Sequence, residues 1–158
     1  MTNHIKVLAA ISNCDDSNML KTWIKNAHDR AAPDVEDAAF RKLIAIVPSG
    51  EPGTLEHDFW QMVNALEFTL QDERGKTTRL SRTRQKAVRV GVERTLKDWA
   101  LAAEETEGFT RLIERGMPEL TGEAIVLSHP DTFDETVRAA AQTRLEAAGV
   151  IVAELPHI

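Results

Sequence analysis

Tyrosine is absent from these 158 residues, and aromatic residues make up only 5% of them. Aromatic and β-branched side chains fill pleated sheet faces, so their scarcity argues against a strand-rich fold. The single cysteine, Cys14, excludes an internal disulfide and a thiolate zinc site, and reads as a small semi-buried thiol. Eight glycines and six prolines are too few for long disordered tracts. No apolar run approaches the ~18 residues that a membrane-spanning helix needs. The N-terminal MTNHIKVLAAISN has a broken apolar run and no strongly basic start, so it does not read as a secretion signal. These absences leave a cytoplasmic protein as the expectation.

What is present is ordinary for a globular chain, with 42% hydrophobic and 28% charged residues. Such a length buries a core without disulfide or metal and suits one domain. Helical spacing dominates. Leu20, Trp23, Ile24, Ala27 and Ala31 recur on one face, as do Phe59, Val63, Leu66 and Leu70. Ser17, Asp34, Thr54 and Thr106 stand where N-caps belong, and Gly75, Gly116 and Gly149 where helices stop. Thr132-Phe133-Asp134-Glu135 matches a capping box opening a helix to Ala148. The expected fold is mainly α, a compact bundle or array of about seven helices in one domain over 1–158. Residues 1–48 read as a two-helix N-terminal subdomain and 54–158 as the main helical core, divided by the Pro- and Gly-rich loop 48–53. Segments 123–128 and 150–155 read either as strands, giving a small C-terminal βαβ element, or as helix and coil.

Segment 76–97, KTTRLSRTRQKAVRVGVERTLK, carries eight basic residues and one acid, a net of +7. The whole chain, with 19 basic and 25 acidic residues, has a net charge of −6, so the remainder stands at −13. Crowded like charges repel, and something must compensate them. One helix from Ser81 or Thr83 to about 103 would bury Val88, Val92, Leu96 and Trp99 and present a cationic flank beside them. Lys76, Arg79, Arg82, Lys86, Arg89 and Lys97 are then the candidate contacts for nucleic acid or another anion, because arginine and lysine are the side chains that hold phosphate oxygens. Against this, nucleic-acid-binding domains are usually basic overall, and the pI here is 5.4. Trp60, one residue off the apolar stripe of its helix, is a possible interface residue.

Catalytic chemistry is sparse. The five histidines show no metal-binding spacing. Glu56-His57-Asp58 offers a carboxylate and an imidazole, but neighbours in a helix point in different directions. His129-Pro130-Asp131 reads as a turn. Gly75-Lys76-Thr77 ends like a phosphate-binding loop, but Leu70 stands where that loop needs glycine and a helix where it needs a strand. Glu73 and Lys76 lack the spacing of a nuclease centre. The reading therefore assigns no catalytic residue, no cofactor and no metal ligand.

The runs DERGKTTRLSRTRQK, LIERGMPELTGEAIVL and HPDTF resemble segments of short bacterial proteins of uncharacterised function. The resemblance covers most of the chain. It implies a bacterial cytoplasmic protein and carries no activity, substrate or site. Two functions remain: a nucleic-acid-associated accessory or regulatory protein contacting phosphates through 76–97, or a helical adaptor that docks the same flank on an acidic partner or a second copy, as a homodimer.

Overall fold

The computed structural model describes residues 2–46, 51–75 and 78–156, without the side chains of 2 and 3. Among the described residues the chain forms nine α-helices, two 3-10 turns and no strand. It divides into two compact units, Met1–Pro48 and Ser49–Ile158.

The first unit holds three helices, α1 (Thr2–Ser12), α2 (Ser17–Asp29) and α3 (Pro33–Ile46). Helix α1 was not expected from its short, interrupted apolar run. It buries Ile11 and packs on α3, which also receives α2. The carboxylate of Asp16, not the hydroxyl of Ser17, caps α2 by accepting from the amides of Asn18 and Met19. Leu20, Ala27, Val35, Ala39, Phe40, Leu43 and Ile44 complete this core. Trp23 is only half-buried.

The second unit begins with α4 (Leu55–Arg74), capped by Thr54 and closed by Gly75 in the left-handed region at φ 67. Then come α5 (Ser81–Val90), α6 (Val92–Leu101), α7 (Glu107–Glu114), α8 (Gly122–Ser128) and α9 (Glu135–Ala147). The expected single helix over 81–103 is therefore two helices. Gly91, at φ 89 and ψ 159, separates them. That backbone lies outside the helical region and is open to glycine almost alone. The break also resets the helical phase. In α5 the buried residue is Ala87, and Val88, expected in the core, is 82% exposed. In α6 the inward face is Val92, Thr95, Leu96 and Ala100.

The C-terminal βαβ alternative is overturned. Segment 123–128 is helical because the Thr121 hydroxyl accepts from the Ala124 amide at 3.1 Å and starts a helical turn. Short apolar runs do not distinguish a buried strand from a buried helix. Helix α8 is the centre of this unit, buried from Gly122 through Val126 and packed against α4, α6 and α9. Segment 150–155 forms a 3-10 turn at Val152–Glu154, whose following Leu155 packs with Phe109, Ala124 and Leu145. The capping box shifts as well: Asp134, not Thr132, caps α9 by accepting from Val137. Among the described residues no helix is long and apolar enough to cross a membrane.

Candidate functional site

The cationic helix α5 is fastened to α4 by one carboxylate. Glu67 Oε2 accepts from the Leu80 backbone amide and from Arg84 Nε, both at 2.8 Å, and Oε1 accepts from Arg84 Nη2 at 2.5 Å. The Leu80 bond satisfies an amide at the N-terminus of α5, where no side-chain cap is present. A bidentate guanidinium–carboxylate pair adds direction to charge attraction. Burial pushes the Glu67 carboxyl up, but the Arg84 and Leu80 hydrogen bonds and the charges of Arg84 and Arg79 hold it below the usual range. The Arg84 guanidinium also lies 5.5 Å from the centre of the Trp60 ring. That ring meets Phe59 edge-on, and its Nε1 donates to Glu56 at 3.0 Å. Trp60 is thus half-buried, with the guanidinium over its face.

Asp98 is a second neutralising point. It pairs with Lys86 at 2.9 Å, across the Gly91 break, and with Arg94 at 2.9 Å along α6. The hydrogen bonds from Lys86 and then Arg94 lower its pKa. Three cations of the basic segment, Arg84, Lys86 and Arg94, are therefore committed within the protein.

The other candidates stand differently. Arg79, Arg82, Arg89 and Lys97 are exposed and make no ion pair among the described residues. Lys76 lies outside the described residues. Arg82, Gln85 and Arg89 follow one another at helical spacing on the side of α5 away from Ala87, the two arginines about 10 Å apart along the axis. Val88 emerges beside this strip, about 100° round the helix from Arg89, and Val90, at 41% exposure, closes the helix. The exposed surface of α5 thus sets a cationic strip beside an exposed valine.

Sequence reasoning missed one arrangement. His129, at the C-cap of α8, places Nε2 2.6 Å from Oδ2 of Asp58 in the first turn of α4. The pair lines a cleft of about 500 Å³ together with His57, Gln61, Glu119 and Ser128. A carboxylate that orients an imidazole is suited to accept or donate a proton. The nearby Ser128 hydroxyl, however, donates to the Ala124 carbonyl at 2.9 Å, so it is engaged in its own helix. The pair ties α4 to α8. A sequence separation of 71 leaves no local signal of it.

No known family model matches the chain, and neither a curated protein nor a solved structure matches it.

Proposed function

We propose that this chain is an accessory or regulatory docking protein that binds an acidic protein surface through the outward face of α5. The observation that carries the reading is Val88, 82% exposed and standing to one side of the uncommitted cations Arg82 and Arg89 on the same helix. Interfaces between proteins combine an apolar centre with arginine around it. Phosphate contacts need the cations but not the valine. The resemblance noted in the sequence sets this docking in a bacterial cytoplasm.

A second reading, contact with nucleic-acid phosphates, is favoured by the four exposed cations without ion pairs, Arg79, Arg82, Arg89 and Lys97. The overall charge of −6 opposes it by long-range repulsion. One experiment separates the two. The protein is titrated with an acidic peptide carrying leucine, with polyglutamate and with duplex DNA, each across a salt series, while its native size is followed by light scattering. Docking predicts that the leucine-bearing peptide binds and that Val88→Ser weakens it about tenfold. Phosphate contact predicts DNA binding indifferent to Val88→Ser, with log affinity falling against log salt by about 0.9 per phosphate contacted. The double variant Arg82→Glu/Arg89→Glu should abolish either. Salt-sensitive growth in size, lost in that variant, would identify a second copy as the partner. If no ligand binds and the size never changes, the strip is a solvated face and the proposal fails.

A further inference from the structure

A second feature of the Ser49–Ile158 unit, independent of the α5 face, is a cavity of about 230 Å³. Its walls come from α4, α6, α7, α8 and the start of α5. Met62, Leu66, Leu70, Leu80, Trp99 and Phe109 make them mostly apolar. For scale, an engineered apolar cavity of about 150 Å³ binds benzene. A small ring with a short chain is therefore the size of molecule that fits.

The polar part of the wall has a sign. Glu107, Arg111 and Glu123 all line the cavity. Arg111 is already matched by two acids, Glu107 at 2.9 Å and Glu73. Glu123 is only 2% exposed, and Arg144 Nη1 reaches it at 3.4 Å, well beyond the ~2.7–2.9 Å of a good charged hydrogen bond. The shorter bonds of Arg144 go elsewhere, to the Trp99 carbonyl at 2.7 Å and the Ala102 carbonyl at 2.5 Å. Arg144 thus serves mainly to hold the open carbonyls at the end of α6. Buried charges are normally well paired, and the one ion pair of Glu123 among the described residues is this long one. Burial accordingly pushes its carboxyl above the usual range, against the pull of its own backbone amide and of Arg144.

We propose that this cavity binds a small hydrophobic primary ammonium, its apolar body against Met62, Leu66 and Phe109 and its charge toward Glu123. A cation there completes the weak pairing of Glu123, and Trp99 stands in the same cavity wall. A carboxylate ligand would meet an acid, and a neutral one would leave Glu123 as it is.

The test uses the full chain and three molecules of nearly one shape: 2-phenylethylammonium, 2-phenylethanol and 3-phenylpropanoate. Calorimetric titration and thermal shift should show the ammonium binding at least tenfold more tightly than the alcohol, with the carboxylate weakest. In a Trp23→Phe/Trp60→Phe background, the remaining Trp99 emission should change on binding. Thr83→Phe, which fills the cavity from α5, should lower ammonium affinity at least tenfold. Glu123→Gln should erase the preference for ammonium over alcohol. If that variant does not fold, the ranking of the three probes and the Thr83→Phe result decide. Equal binding of alcohol and ammonium, no binding of the ammonium at millimolar concentration, silent Trp99 emission or an unaffected Thr83→Phe variant would each overturn the proposal.

Discussion

At Gly91 the backbone sits at φ 89 and ψ 159, and a Cβ added there would meet nothing within 4 Å. Any cost of substitution is therefore backbone strain alone. Gly91→Ala should destabilise the protein by about 1–3 kcal/mol in urea unfolding, and an unchanged midpoint would show that α5 and α6 simply rejoin. Val88→Ser, by contrast, should shift stability by less than about 0.5 kcal/mol, because so exposed a residue contributes little burial. Glu123 gives a signed pH dependence. Its folded pKa is raised, so below the ordinary glutamate range both states hold the proton and stability is full. As pH rises past about 4.3 the unfolded chain releases its proton first, and stability declines until the folded pKa is passed. Glu123→Gln should remove that decline from the curve of unfolding free energy against pH.

Helix α5 depends on a single acceptor, Glu67, for its entry amide and its main ion pair. Glu67→Ala should cost about 2 kcal/mol, the scale of hydrogen bonds to a charged group, and should speed amide exchange in α5 before that in α4. The sign here is opposite to that of Glu123. The depressed folded pKa of Glu67 contributes stability above the ordinary glutamate range, lost as pH falls through the folded value. The elements also show what was legible beforehand. Thr54 and Thr106 cap their helices, and Gly75, Gly116 and Gly149 take positive φ at stops, because caps and stops are local chemistry written in a few adjacent residues. A lone glycine is tolerated inside a helix, so Gly91 gives no local sign of the break that turns Val88 from core to surface. Leu96 lies after the break, in phase with Val92, so its burial follows from the spacing within α6 alone. Trp23 and Trp99 stay half-buried because large rings seldom vanish completely from solvent.

Across the whole molecule the charge is unevenly shared. The Met1–Pro48 unit carries six acids and six basic residues, a net of zero, so the −6 of the chain lies entirely in Ser49–Ile158. The basic segment and all the surplus acids are therefore in one unit, and Glu67 and Asp98 are where they meet. No pattern in the sequence named those two acids, nor Asp58 for His129, since such pairs form only when distant helices close on one another. Each unit also has its own fully buried leucines. Leu20→Ala and Leu96→Ala should each cost about 2–5 kcal/mol. Hydrogen exchange should show the first loosening mainly residues 4–46 and the second mainly 51–156, as expected for separate cooperative bodies.

Helix α5 contributes one buried side chain, Ala87, and two anchored cations, Arg84 and Lys86. Thr83 borders the cavity, and the remaining positions owe nothing to the interior. Over evolutionary time that makes α5 a replaceable label: positions 82, 85, 88 and 89 can be rewritten without the core registering the change. A library randomised at those four positions should remain overwhelmingly folded while scattering in what it binds. Related chains would then diverge first in partner choice and only much later in architecture.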